Sequence, residues 1–482
     1  MNLQLVVNQA QQIHQQGTTL LKQKDPLAHQ YLNKAKDLYE QVLNVEFKNP
    51  DVLFLYGTTL MQMGRSGAAM AFFEKVLSMD PNSTRSWNNL GACYRQENYR
   101  EEALNLYVHG LRIKAEPDLF ANMCAAWVNE GHPENGIPFG RVCLTLNPTH
   151  PQGLWNLGLL LMENGEYEEG FALYNRGFET GDRVERFYVD KNGNDPKWMP
   201  DPSELKPTDT LVLWGEQGIG DELLFSTFVP CLKDKCNIIL DVHPRLVDTF
   251  KRTFPWVKGI YPTRKTTPEW AKDYEITYKQ AMGSLPAWFH KDRAKYSGMH
   301  KADPKLVKEY KNILYKLHGS KRPIIGVHWA GGTKKTRTDL RSLPLSAFAP
   351  LLKEDAIYVS FQYTPDADKE VGALFKEHGI TVWHINDIVK DFNYDRTVAL
   401  AEAVDLMITV NTSIAHVCGV IGKKCWTLTP WGHAWRYGKR DEFMPFYKTV
   451  RNYHQHAEND WSQVFPKVHE DLKEFIKSWR GK

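Results

Sequence analysis

No stretch of this 482-residue chain approaches the roughly 20 consecutive apolar residues that a bilayer-spanning helix needs. The N-terminus, Met1-Asn2-Leu3-Gln4, lacks a basic region ahead of an apolar one, so it does not read as a secretory signal. Charge of one sign is also missing. Sixty Lys and Arg against 57 Asp and Glu leave a net charge of +3, too little to draw the whole chain to nucleic acid or a membrane. Cysteine is sparse, with seven residues. Cys231 and Cys236 are close, but four residues separate them and no Cys/His pair lies nearby, which makes a poor zinc pattern. Reduced thiols in a cytoplasmic protein are the expectation.

What is present is repetition. Gly57 and Gly91 lie 34 residues apart, as do Ala69 and Ala103, and Phe73 and Tyr107. The run Trp87-Asn88-Asn89-Leu90-Gly91-Ala92-Cys93-Tyr94 has the Trp, Leu, Gly, Tyr spacing of a tetratricopeptide first helix, and Ala103 and Tyr107 belong to its second. Repeats are expected at about 50–83, 84–116, 117–150 and 151–180, after a degenerate pair holding Ala35 and Tyr39. Gly136, Gly140 and Gly170 replace larger residues, so the last two units are expected to be looser. Arrays of this kind expose a concave face that often takes a protein or peptide. Mere support of the following domain is the alternative.

Beyond Gly181 the grammar changes. Residues 190–209 are rich in Asn, Gly, Asp and Pro and read as a linker. Thr210–Trp214 and Asn237–Val242 are short apolar runs of the buried parallel-strand type, with helical patterns near 222–232 and 246–254. The pattern restarts at 323–329, with further strands at 356–361, 381–385, Leu406–Val410 and 425–428. Helices are expected at Tyr394–Ala403 and Ser413–Ile421. Two such units predict two Rossmann-like lobes, with ligands beyond the carboxyl ends of the strands. The expected division is a helical array over 1–182, a linker over 183–209, a first lobe over 210–300, a basic inter-lobe segment over 301–322 and a second lobe over 323–482.

Three strand-end motifs can carry chemistry. In Trp214-Gly215-Glu216-Gln217-Gly218-Ile219-Gly220-Asp221, Gly218 and Gly220 permit close backbone approach. Asp221 is either a helix cap or a general base for an acceptor hydroxyl. The third glycine of a dinucleotide fingerprint is missing. In Asn411-Thr412-Ser413-Ile414-Ala415-His416, a strand gives way to a helix whose N-terminus suits a diphosphate. There His416 is a candidate donor to the phosphate or leaving group, or a buried structural histidine. The run from Gly331 and Gly332 through Thr333, Lys334 and Lys335 to Arg337, with Arg341 soon after, gathers hydroxyls and cations fit to wrap phosphates, or forms a solvated basic loop. Asp366-Ala367-Asp368 has the spacing of a metal-binding pair but precedes a helix, where acids are expected anyway. The lysines of 291–322 read first as a solvated helix face.

Together these residues resemble bacterial tetratricopeptide proteins ending in a heptosyltransferase-like glycosyltransferase domain. The resemblance rests on 214–221, on 411–426 and on the aromatic run Pro430-Trp431-Gly432-His433-Ala434-Trp435-Arg436-Tyr437. It implies an all-α tetratricopeptide solenoid followed by an α/β GT-B fold. It implies transfer from a nucleotide-diphosphate sugar without an essential metal or other cofactor. By the same resemblance Asp221 is the general base and Thr412, Ser413 and His416 contact phosphate. Gly218, Gly220, Gly332, Thr333, Lys335, Arg341, Asn411 and Ile414 complete the nucleotide-sugar site. The family commonly has Asp where this chain has Asn411. The acceptor is expected to be a protein, peptide or glycan. A non-catalytic scaffold and a nucleic-acid-modifying transferase are the competing readings.

Overall fold

The computed structural model describes residues 2–262, 267–332, 338–364, 366–385 and 394–480. The chain forms two compact units, Met1–Val184 and Glu185–Lys482.

The first unit is helical. It begins with α1 (Leu3–Lys22) and α2 (Ala28–Leu43), followed by α3 (Pro50–Gln62) with α4 (Ser66–Met79) and α5 (Thr84–Gln96) with α6 (Arg100–Ile113). Then come α7 (Pro117–Ala125) with α8 (Pro133–Leu146), α9 (Pro151–Glu163) with α10 (Tyr167–Tyr174), and the short α11 (Gly177–Thr180). Proline opens several of these helices at their first position, where its missing N–H costs nothing. The 34-residue period is a physical contact. The glycine of one helix receives the aromatic ring of the next, Gly57 against Phe73 and Gly91 against Tyr107. Ala69, Phe73, Ala103 and Tyr107 are fully buried.

The later units are not loose. A methyl at Gly136 would stand 2.5 Å from Leu160 Cδ1 and 2.6 Å from Trp127 Cβ, and α9 is almost wholly buried. There the glycines shorten the distance between helices instead of leaving a gap. A methyl at Gly91 would lie 2.8 Å from Tyr107 Cδ1. Gly91→Ala should therefore destabilise the protein by about 1–3 kcal/mol despite better helix propensity. Gly67→Ala in α4, where nothing lies within 4 Å, should be neutral or gain up to about 1 kcal/mol. Urea denaturation of the two variants tests the contrast.

The second unit holds two all-parallel sheets. Its elements are β1 (Lys197–Trp198), β2 (Thr210–Trp214), α12 (Ile219–Ser226), β3 (Asn237–Val242), α13 (Val247–Thr253), β4 (Gly259–Pro262), β5 (Tyr278–Ala281), α14 (Pro286–Phe289) and α15 (Pro304–His318). They continue with β6 (Ile324–His328), α16 (Thr338–Arg341), β7 (Ile357–Ser360), α17 (Ala367–His378), β8 (Val382–His384) and α18 (Tyr394–Ala403). The last are β9 (Leu406–Val410), α19 (Ser413–Ile421), β10 (Cys425–Thr429), β11 (Val450–His454) and α20 (Val464–Ser478). The first sheet runs β1-β5-β2-β3-β4 and the second β11-β10-β9-β6-β7-β8. Counted from its own first strand, the second sheet has the order 3-2-1-4-5-6 of a Rossmann lobe, and its strand order reverses between β6 and β9. In the first sheet the reversal falls between β2 and β5. The architecture is a helical solenoid followed by two Rossmann-like lobes. Strands β2, β6, β9 and β10 are buried on both faces, which is why they read as unbroken apolar runs.

The segment read as a linker divides differently. From Glu185 onward it belongs to the first lobe, and β1 pairs with β5 through Lys197–Tyr278 and Trp198–Lys279. Buried Asp241 at the end of β3 accepts from Arg186 Nη1 at 2.5 Å and Tyr188 Oη at 2.9 Å, while Arg186 Nη2 donates to the Gly215 carbonyl at 2.7 Å. Polar composition here reflects a buried ion pair that braces the turn after β2. The inter-lobe segment contains α15, capped by Asp303 and ended by left-handed Gly319. It packs on α18.

Candidate functional site

Two helix N-termini face each other across the lobes. One is α12, entered from β2 through the turn 215–218. The other is α19, entered from β9 through Asn411 and Thr412. Gly220 makes the approach possible: a methyl there would stand 2.9 Å from His416 Cδ2 and 3.4 Å from Ser413 Cα. Thus Gly218, Gly220, Asp221, Ser413 and His416, widely separated in sequence, share one locus. Both strand ends flank their sheet's reversal, the place where parallel α/β folds open a ligand crevice.

Asp221 is well tied. Its Oδ1 accepts from Arg436 Nε, and its Oδ2 accepts from the Gly218 N–H at 3.3 Å. Arg436 also donates to Gln217 Oε1 at 3.2 Å. Arg436 lies in the aromatic run of the second lobe, so this ion pair closes the two lobes on each other. A carboxylate offers about four lone-pair positions. The two contacts therefore leave acceptor capacity for a substrate hydroxyl.

His416 is buried, and its Nδ1 lies 3.0 Å from Tyr447 Oη. Burial lowers its pKa to about 4; Asp221 opposes the shift and Arg436 adds to it. The imidazole is therefore neutral at pH 7 and meets an anion as a hydrogen-bonding group, not a cation. Burial also keeps the Tyr447 phenol protonated.

The rest of the turn is partly spent on structure. The Thr412 hydroxyl accepts from Ile414 N–H at 3.4 Å and lies 3.1 Å from His328 Nδ1, and the Ile414 side chain is core. Ser413 Oγ accepts from Tyr394 at 2.6 Å. Arg341 does reach this place, donating to the Asn411 carbonyl at 3.0 Å. Gly332 adopts φ +98°, a conformation suited to glycine, just before the basic run of the sequence. Thr333 and Lys335 lie outside the described residues. Asn411 is buried, with its Oδ1 accepting from Thr429 Oγ1 at 3.1 Å and its Nδ2 unpartnered among the described residues.

Sequence reasoning missed His328. It ends β6, fully buried, with Tyr363 stacked on its ring at a centroid distance of 5.8 Å. Its Nδ1 is held by Thr412, and its Nε2 has no partner among the described residues. Burial, helped by Arg341, lowers its pKa to about 3. His328 Nε2 and Asn411 Nδ2 thus stand on the two strands flanking the reversal as buried polar groups left to satisfy. A histidine closing an otherwise apolar strand was the signal available. The Asp366/Asp368 pair does not form a centre. Asp366 pairs with Lys369 at 2.9 Å and Asp368 lies 3.7 Å from His384. Among the described residues no cluster of three or more His, Cys, Asp or Glu is arranged to hold a metal ion. Among them, too, no helix is long and apolar enough to cross a membrane.

Residues 50–83 and 84–117 match the family model described as tetratricopeptide repeat. Residues 50–117 are tetratricopeptide repeats. Across most of its length the chain is similar to Protein FlbA of Caulobacter vibrioides, 23% identical over 472 residues, covering 93% of this chain and 71% of that protein. Among solved structures, the glycosyl transferase family 9 protein from Veillonella parvula DSM 2008 aligns with 57% of this chain and 98% of its own, at 11% identity and a TM-score of 0.40. YrrB, a TPR protein with an unusual peptide-binding site, aligns with 30% of this chain and 74% of its own, at 18% identity and a TM-score of 0.25.

Proposed function

We propose that the second unit transfers a sugar from a nucleotide-diphosphate donor to a hydroxyl acceptor, and that the repeats recruit a protein or peptide that is the acceptor or presents it. The observation that carries this reading is the meeting of Asp221 with the Asn411–His416 turn where both sheets reverse. Asp221 takes the acceptor proton as the acceptor oxygen bonds to the anomeric carbon. The bond from that carbon to the diphosphate oxygen breaks, and the diphosphate leaves with its electron pair. The N-terminus of α19, Arg341 and a neutral His416 stabilise the departing charge. Gly332, Thr333 and Lys335 are assigned to the same phosphate group. No metal is assigned a role, and the cytoplasm is the proposed location.

A screen of nucleoside diphosphates and their sugars by thermal shift tests the donor. One nucleotide at a hundredfold excess over its Kd should add about 2.7 kcal/mol, a rise of several degrees in Tm. His416→Gln should weaken that nucleotide about tenfold or more, the worth of one hydrogen bond to a charged group. An unchanged Kd would make His416 a packing residue only.

One observation favours a second reading. Both oxygens of Asp221 are engaged, as in a purely structural tie between lobes. A scaffold of that kind would bind a partner and release no nucleotide from any nucleotide sugar.

A further inference from the structure

At the other end of α19 lies a cavity of about 830 Å³ that the transfer chemistry does not use. Ile421, the last residue of α19, forms part of its wall, while the candidate site sits at Ser413, eight residues and about 12 Å of helix away. One face of α15 supplies another wall: Pro304, Val307, Lys308, Lys311, Asn312 and Tyr315 recur at three- and four-residue intervals. Arg252 comes from the first lobe and Glu402 from α18.

The charge of this cavity is one-sided. Arg252, Lys301, Lys308, Lys311 and Lys321 line it against a single carboxylate, Glu402. Two of these are already matched, since Arg252 pairs with Asp395 and Glu402 lies 3.6 Å from Lys423. Asp303, beside the cavity, is spent on capping α15. The four lysines have no ion-pair partner among the described residues. Four unmatched cations around one concavity repel each other, and a bound anion removes that repulsion. The wall also contains buried His300, whose Nε2 meets Ser226 Oγ at 2.8 Å and whose Nδ1 has no partner among the described residues. The carbonyls at the end of α19 do not oppose an anion freely, because Gly298 and His300 donate their N–H groups to Gly419 and Val420.

We infer that this cavity is a second ligand site, built for a small anion carrying two or more phosphate groups. Its volume is that of a small-molecule pocket and its donors are lysines, which suit phosphate as point charges. Its walls come from both lobes and the segment between them. The inference does not depend on sugar transfer.

Isothermal titration of the full chain with inorganic tripolyphosphate at low salt tests it. His416→Gln, which should weaken phosphate binding in the interlobe crevice, is titrated in parallel. Wild type and His416→Gln should bind tripolyphosphate equally. The pair Lys308→Glu and Lys311→Glu should weaken binding about tenfold or more, whereas Lys308→Arg with Lys311→Arg should nearly preserve it. Lys308 is exposed and Lys311 half-buried on α15, so melting temperatures of the glutamate and arginine pairs are compared to separate a folding defect. Unchanged affinity in the glutamate pair, or no saturable binding by wild type, would overturn the site. A short DNA duplex that binds in a Lys308- and Lys311-dependent way while tripolyphosphate does not would also overturn it, in favour of a nucleic-acid face. If no nucleotide binds at the α19 N-terminus but tripolyphosphate still binds here, the transfer reading fails and this one stands.

Discussion

Asp221→Asn should lower the turnover number by about 10²–10⁴-fold while nucleotide diphosphate binding changes little, the range expected when a positioned general base is lost. Asparagine keeps the size of the side chain and still accepts from the Gly218 N–H, so the α12 cap survives. What it removes is the proton acceptor and the charge facing Arg436. The second loss needs its own control, because half-buried Arg436 bridges the lobes through Asp221 and Gln217. Arg436→Gln breaks the same ion pair from the other side but leaves the carboxylate. If Asp221 acts only as a tie, both variants should lose the same activity. If it is the base, Asp221→Asn should be far more damaging than Arg436→Gln. Equal losses, or full activity in Asp221→Asn, would remove Asp221 from the chemistry.

The sequence showed the parts of this molecule that local physics controls. A Gly-to-aromatic contact repeated every 34 residues leaves a numerical trace, and a strand buried on both faces leaves an apolar run. Where burial is one-sided or the residues are polar, the trace fades. Strands β1, β4, β5 and β11 are short or carry mixed residues such as Val450-Arg451-Asn452-Tyr453-His454, and none was anticipated. The stretch from Glu185 resembled a linker because its buried side chains include Arg186, whose burial depends on Gly215 and Asp241, far along the chain. The same limit governs the site. Gly220, Asp221 and the α19 turn were visible as strand-end motifs, each from its own neighbourhood. The bond between Asp221 and Arg436 spans 215 residues. The His328 Nε2, unpartnered among the described residues, is a property of packing, and no local window contains either.

Acidification should unfold the second unit well before carboxylate titration alone would. Burial lowers the pKa of His300, His328 and His433 to about 3, and of His416 and His454 to about 4. In the unfolded chain each titrates near 6.5. As pH falls below 6.5 the unfolded state takes up protons that the folded state refuses, so the difference in bound protons favours unfolding. The stability these neutral histidines contribute is fully present above pH 6.5 and is lost progressively down to pH 3–4. Near pH 5 all five act in the same direction, giving a slope on the order of 7 kcal/mol per pH unit. A typical domain has only about 5–15 kcal/mol in total. Calorimetry between pH 7.5 and 4.5 should show the transition of the α/β unit falling steeply. In the repeat unit burial lowers the pKa of His14, and that transition should move less. His433→Gln removes one of the five titrating groups without adding charge and should flatten the slope by about a fifth. A Tm that is constant from pH 7 to 5 would mean these imidazoles are not held neutral by burial.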